Sequence, residues 1–367
     1  MTAFRLTPLA ASLPSTVPFV GPETQERRRG EVFSARLGAN ENVFGPSPLA
    51  ARAMAETSLW KYGDPENHDL REALADHHGV KADNIVIGEG IDGLLGYLVR
   101  LMVGPGDAVV TSDGAYPTFN YHVAGFGGVI HKVPYQEDHE DPAALFEKAR
   151  EVDAKLVYLA NPDNPMGSVL SGEDIAAAME KLPKGTLLIL DEAYIDCAPD
   201  DAHLPLPLCD PRVIHMRTFS KAYGLAGARV GYALGAADLI AAFDKVRNHF
   251  GVNRASQEGA LAALLDQAWL RSVVARIVAS RFRIREISRN NGLKTLPSAA
   301  NFVAVDCGQD SRYAQRVLDA IVARGVFARM PGVAPLNRCI RISCGTPADL
   351  EIFASALPLA LRDADLT

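Results

Sequence analysis

The chain has 367 residues, 48% hydrophobic and 22% charged, an ordinary globular composition with room for two domains and a large core. Its formal net charge of -7 offers no basic face to nucleic acid or an anionic membrane, though a local basic pocket for a small anion stays open. Cys197, Cys209, Cys307, Cys339 and Cys344 form no CxxC pair and the nine histidines no HExxH cluster, so a reduced, cytoplasmic protein with inert thiols and no metal site is expected.

In chain order, the first 35 residues, broken by Pro8, Pro14 and Pro18, are expected to be irregular, not a signal peptide, and to lie against the C-terminal part of the chain. A helix spans 68–78, with His68, His77 and His78 on its polar surface. The buried strand 85–87 leads through Gly88, Gly90 and Gly93 into a helix over 91–102, where Arg100 keeps the apolar run below membrane-spanning length. Further strands follow at 108–112, 129–133, 156–160, 187–190, 213–216 and 229–234, with helices at 142–150 and 172–181. Near-continuous apolar strands alternating with helices give an α/β fold whose seven-stranded sheet is mostly parallel and sandwiched by helices. From about 237 to 290 the pattern is helical. Strands at 301–305 and 340–343 then flank a helix over 311–324, which makes a smaller α+β unit. The expected division is an arm at 1–36 on the small domain, a large domain at 37–250 and a small domain at 251–367.

The glycines have the spacing G-x-G-x-x-G, and Asp113 follows the next strand, so a nicotinamide dinucleotide is one reading. Any phosphate at a helix N-terminus, or a plain turn, is another. The other strand ends arbitrate, because ligands of open α/β sheets bind outside the carboxyl ends of strands. Those ends deliver Asp113 to Pro117, Asn161 to Gly167, Asp191 to Tyr194 and Arg217 to Leu225. A lysine beside two hydroxyls can hold an aldehyde, an acid can keep a pyridine nitrogen protonated, and an arginine with hydroxyls can hold a phosphate. Lys221, Asp191, Thr218, Ser220 and Arg229 thus suit pyridoxal phosphate, whereas the dinucleotide reading leaves the Lys221 segment unexplained.

Residues 217–232, RTFSKAYGLAGARVGY, resemble the lysine segment of fold-type I aminotransferases. NENVFGPSP at 40–48, KYGDPENHDLREALA at 61–75, NPDNPMG, DEAY, NF at 301–302 and IRISCGTP at 340–347 are similar to segments of the histidinol-phosphate aminotransferase branch, in the same order. The resemblance implies a pyridoxal-phosphate enzyme that moves an amino group between an imidazole or aromatic amine and 2-oxoglutarate, working as a homodimer. It implies that Lys221 holds the cofactor as a Schiff base and shuttles the substrate Cα proton, that Asp191 pairs with the pyridine nitrogen, and that Asn164 and Tyr194 bond the phenolic oxygen. Tyr116 would stack on the ring. Thr218, Ser220, Arg229 and the backbone at Gly90, Ile91 and Asp92 would hold the cofactor phosphate, with Tyr62 reaching it from the other subunit. Arg341, with Arg329 and Asn40, would take the substrate.

Four departures stand out: Val43 where the family has Pro, Ile91-Asp92-Gly93 for Ser-Asp-Glu, Pro18-Phe19 for Pro-Tyr, and Val333-Ala334-Pro335 where Tyr-Gly is usual. The last three lie near a cofactor or substrate phosphate, so the alternatives within the fold are an aromatic amino-acid aminotransferase or a phosphoamino-acid decarboxylase. A transcription-regulator domain would bring a basic helix-turn-helix, and none is visible before residue 37.

Overall fold

The computed structural model describes residues 4–15 and 20–366. The N-terminal region holds helices α1 (Pro8–Ser12) and α2 (Pro22–Arg29) and the short strand β1 (Ala35–Arg36); then come α3 (Pro48–Glu56) and α4 (His68–His78). Among its described residues the arm is therefore not irregular throughout. Pro8 and Pro22 each stand at the first helical turn, where the missing N–H costs nothing, and Thr7 Oγ1 caps the first helix by accepting from Ala10 N at 3.2 Å. Leu9 lies beside Gly127, while β1 pairs in parallel with a strand near residue 326.

The central region continues with β2 (Ile85–Gly88), α5 (Gly90–Met102), β3 (Ala108–Ser112), α6 (Thr118–Gly125), β4 (Val129–Val133), α7 (Pro142–Val152), β5 (Leu156–Ala160), α8 (Gly172–Ala178), β6 (Leu187–Asp191), β7 (Val213–Thr218) and β8 (Gly231–Leu234). The seven-stranded sheet runs β2-β8-β7-β6-β5-β3-β4. Every residue of β5, β6 and β7 is buried, as parallel strands covered on both faces must be. Leu94, Leu95 and Leu98 of α5 pack on one face with Ile189 and Ile214; Leu145 and Phe146 of α7 pack on the other with Leu188 and Leu190.

β8 is the exception to parallel pairing. It runs antiparallel to both β7 and β2, so β2 points the same way as β7. The sequence direction also reverses between β3 and β5, which are neighbours although β4 intervenes in the chain. A crevice at such a switch point is the expected place for a ligand.

The helical stretch expected from 237 to 290 is three helices: α9 (Ala237–Ala242), α10 (Arg254–Leu265) and α11 (Gln267–Asn290). Asp266 separates the last two and caps α11, its Oδ1 accepting from Trp269 N at 3.1 Å. The chain ends with β9 (Lys294–Thr295), β10 (Phe302–Asp306), α12 (Ser311–Ala323), β11 (Val326–Phe327), β12 (Cys339–Ser343) and α13 (Pro347–Leu366). β12, β10 and β9 form a separate antiparallel sheet. Among the described residues no helix is long and apolar enough to cross a membrane.

His78 departs from its expected surface position. It is half-buried, its Nε2 lies 2.9 Å from Tyr232 Oη, and burial with the nearby Arg217 charge lowers it to about 3. His68 and His77 stay on the exposed face of α4.

Candidate active site

A cavity of about 810 Å³ opens at the carboxyl ends of the sheet strands, lined among others by Asn40, Tyr116, Asn164, Asp191, Lys221 and Arg341. The topology explains the gathering. β3, β5, β6 and β7 end there, and β2 ends there too because it is parallel to β7. The reversed β8 begins there, which brings Arg229, two residues before it, to the same edge.

Lys221 leaves β7 through Phe219 and Ser220. Its half-buried side chain reaches into the cavity; Nζ donates to Asn40 O at 3.3 Å and lies 5.6 Å from the Tyr194 ring centre. Desolvation lowers the ammonium to about 8, and the Arg341 charge pushes the same way. Asp191 ends β6, buried, its Oδ2 accepting from Tyr158 Oη at 2.6 Å and its Oδ1 from Ala193 N at 3.0 Å. Burial raises this carboxyl to about 6, against those hydrogen bonds. The next residue, Glu192, points to the opposite face of the strand and holds Arg217 at 2.7 Å.

A polar chain crosses the cavity wall. Arg341 Nη1 donates to Asn164 Oδ1 at 2.5 Å, Asn164 Nδ2 donates to Tyr194 Oη at 3.2 Å, and Asn40 Nδ2 donates to the same oxygen at 3.0 Å. Arg329 sits beside Arg341 because their backbones pair, Arg341 N donating to Arg329 O at 2.6 Å. Its Nη2 donates to Val20 O at 2.8 Å, which ties the arm to the cavity mouth. Burial lowers both guanidinium groups from the ordinary arginine range.

The other end is a cradle. Arg229 Nη1 donates to Ser220 Oγ at 3.3 Å, its Nη2 lies 3.5 Å from Asp92 Oδ2, and Thr218 Oγ1 accepts from Ser220 N at 3.0 Å. Tyr116 Oη donates to Asp92 Oδ1 at 3.1 Å. Gly90 starts α5 at φ 81°, where a Cβ would stand 2.7 Å from Arg229 Nη2. Glu89 supplies no side-chain cap to α5, so the N–H groups around Gly90, Ile91 and Asp92 face the cradle uncapped by it.

Tyr62 is not part of the cavity wall in this chain. It is 80% exposed, with its ring 5.1 Å from that of Phe250. Pro18 and Phe19 lie outside the described residues. Val333 lines the cavity and Val43 is exposed. The nicotinamide reading falls on topology: β2 and β3 are separated by four strands, whereas a dinucleotide fold sets them side by side. Asp113 instead pairs with Lys132 at 2.9 Å.

Sequence reasoning gave no role to Tyr158, Asn301 or Ser343, although the last two lie in the segments NF and IRISCGTP. Tyr158 stands in the otherwise apolar strand Leu156–Ala160, and a buried tyrosine hydroxyl demands a partner, so a signal was there. Asn301 Nδ2 donates to Asn40 O at 3.0 Å and Ser343 Oγ to Asn40 Oδ1 at 2.9 Å. In the chain 261 and 303 residues separate these partners, and no local pattern marks such pairs.

The family model for aminotransferase class I and II matches residues 35–357. Histidinol-phosphate aminotransferase 1 of Mesorhizobium japonicum is 37% identical over 331 residues, 88% of this chain and 89% of that protein. The histidinol-phosphate aminotransferase of Moorella thermoacetica is 35% identical over 94% of this chain and 90% of its own. The crystal structure of histidinol-phosphate aminotransferase from Sinorhizobium meliloti in complex with pyridoxal-5'-phosphate superposes with a TM-score of 0.95 at 54% identity, covering 100% of each chain.

Proposed function

Because this chain belongs to the class I and II aminotransferase family, we propose that it transfers the amino group of histidinol phosphate to 2-oxoglutarate, a step of histidine biosynthesis, with pyridoxal phosphate as resident cofactor. One observation carries the reading: Lys221 and Asp191 face one cavity, an amine lowered by burial and an acid raised by it, and neither has an oppositely charged hydrogen-bond partner. An aldehyde for the amine and a pyridinium nitrogen for the acid complete both, and the Gly90–Arg229 cradle fits a phosphate.

When bound, the cofactor supplies a pyridine ring that accepts the electron pair released as the substrate Cα–H bond breaks. The chain's residues do the rest in this reading. Lys221 Nζ would hold the aldehyde carbon until the substrate amine displaces it, and the freed Lys221 amine would then carry the Cα proton. Asp191 keeps the ring nitrogen protonated, and Tyr158 fixes its carboxylate. Asn164 and Tyr194 would hold the phenolic oxygen, and Tyr116 would stack on the ring. Thr218, Ser220, Arg229 and the backbone at Gly90, Ile91 and Asp92 hold the cofactor phosphate. Arg341 and Arg329 take the substrate phosphate, and Asn40 locks the wall beside them.

The working form in this reading is a homodimer in which Tyr62 reaches the phosphate held by the other subunit. The exposure of Leu59, Trp60, Tyr62 and Phe250, at 78%, 82%, 80% and 54%, supports it, since a lone chain gains nothing by leaving such a patch wet. A cytoplasmic location accords with five cysteines outside any disulfide. The division at 36/37 and 250/251 accords with one sheet lying within residues 85–234 and another within 294–343.

The test is turnover by the purified, cofactor-loaded protein. Histidinol phosphate with 2-oxoglutarate should give glutamate with a higher kcat/KM than any free aromatic amino acid. Borohydride should fix cofactor on the peptide holding Lys221, and Lys221→Ala should lose activity by orders of magnitude. A free aromatic amino acid outpacing histidinol phosphate would overturn the substrate assignment, and near-normal turnover by Lys221→Ala the whole reading.

A further inference from the structure

Three acids line the cavity, and two are occupied: Asp191 by Tyr158 and Ala193, Asp92 by Arg229 and Tyr116. The third, Glu41, makes no hydrogen bond or ion pair among the described residues, although five cationic side chains line the same cavity. Its backbone, in contrast, is firmly held. Asn40 is only 2% exposed and sits at φ 54°, in the left-handed region. Five hydrogen bonds lock that bend: Asn40 N donates to Ser343 Oγ, Nδ2 to Tyr194 Oη, Oδ1 accepts from Ser343 Oγ, and the carbonyl accepts from Lys221 Nζ and Asn301 Nδ2. On the other side Asn42 Nδ2 donates to Ala222 O at 2.9 Å, and its Oδ1 accepts from Phe44 N at 3.0 Å. An anchored backbone thus presents a free carboxylate at the rim of a cavity otherwise built for anions.

A phosphate substrate satisfies the cations and offers Glu41 no hydrogen-bond donor. The one donor on histidinol phosphate outside its amine and phosphate is the imidazole ring N–H. We infer that Glu41 is the specificity-determining residue that accepts this N–H, so that the enzyme selects an imidazole over a phenyl ring of similar size. The inference rests on histidinol phosphate being the amino donor. The carboxylate is the strongest acceptor a side chain offers to such a donor, and it also stabilises the ring when it carries a second proton.

The test compares histidinol phosphate with phenylalaninol phosphate, which keeps the phosphate and amine and replaces the imidazole with benzene. In Glu41→Gln and Glu41→Ala holoenzymes the ratio of the two kcat/KM values should fall, roughly ten-fold or more for Ala, as for a lost hydrogen bond to a charged group, and less for Gln, which keeps a neutral acceptor. Calorimetric binding of the amine-free imidazolylpropyl and phenylpropyl phosphates to the same holoenzymes should show the same loss of preference without any turnover. An equal loss for both ring types would place Glu41 on the arginines or the amine and overturn the inference, as would an unchanged ratio. Failure of the wild type to use histidinol phosphate would instead sink the substrate assignment beneath it.

Discussion

Gly90 shows how much one side-chain atom decides. Its φ of 81° is a conformation L residues adopt reluctantly, and its missing Cβ is what lets Arg229 lie against the start of α5. Gly90→Ala should raise the dissociation constant of pyridoxal phosphate roughly 5- to 30-fold, the equivalent of ~1–2 kcal/mol of left-handed strain, before the displacement of Arg229 is added. Equilibrium dialysis of the apoprotein against the cofactor measures it; unchanged affinity would mean that the cradle is not the phosphate site. Lys221 makes a pH prediction. The amine is lowered to about 8, so its unprotonated, nucleophilic form dominates above that value and becomes scarcer below it. The rate of cofactor uptake by apoprotein should climb about ten-fold per pH unit below 8 and level off above. Because Arg341 is the largest charge contribution to that lowering, Arg341→Ala should move the midpoint upward. A stopped-flow profile that still rises steeply beyond pH 10 would show an ordinary, solvated lysine.

At the scale of elements, the loop after β5 is held from behind by two buried carboxyls. Glu140 Oε2 accepts from Ser112 Oγ at 2.6 Å and its Oε1 from Ala160 N at 3.0 Å. Asp163 Oδ1 accepts from Tyr135 Oη at 2.8 Å and its Oδ2 from Met166 N at 3.0 Å. Burial raises both, Asp163 to about 6 and Glu140 well above the carboxylate range; the Asp163 charge raises Glu140 further, whereas the contact with Glu140 lowers Asp163. The two carboxyls titrate as a pair, and Asp163 immediately precedes Asn164 in the chain. Raised acids bind more protons folded than unfolded, so their contribution to stability is fullest at low pH and is lost as pH rises through about 6 and beyond. Glu140→Gln keeps a neutral partner for Asp163 and removes one charge. The fall in Tm of holoprotein between pH 5 and pH 8 should therefore be smaller in the variant, by the equivalent of about 1–3 kcal/mol. Parallel pH profiles for the two proteins would argue that the pair is not proton-linked.

For the whole molecule the decisive experiment concerns the subunit boundary. If Tyr62 serves the other subunit's site, mixing Tyr62→Phe protein with Lys221→Ala protein creates heterodimers with one fully native site and one doubly defective site. Activity should then rise above the average of the two parents after subunit exchange. If Tyr62 serves its own subunit, every site in the heterodimer carries a defect and no activity is regained. The exposed position of Tyr62 beside Phe250, away from its own cavity, is what makes the first outcome the expected one.

Most strands, the order of the motifs and the residues at the strand ends were legible in the sequence, because buried strands are short apolar runs and strand-end loops carry their own polar composition. β3, β4 and β5 fall on the expected ranges, as does α4. Helix interruptions were less legible: the Ala-, Leu- and Arg-rich stretch after residue 237 is helix-forming throughout, and only Asp266, serving as a cap, divides α10 from α11. What tertiary structure alone decided is direction and adjacency. Nothing local tells that β8 runs against its neighbours, yet that reversal is why Arg229 and the glycines of α5 share a cradle, and the strand order, with four strands between β2 and β3, sets Asp113 apart from them. Likewise, Asn40 becomes a locked bend only through Tyr194, Asn301 and Ser343. A hydrogen bond depends on distance in space, and a one-dimensional pattern records distance only along the chain.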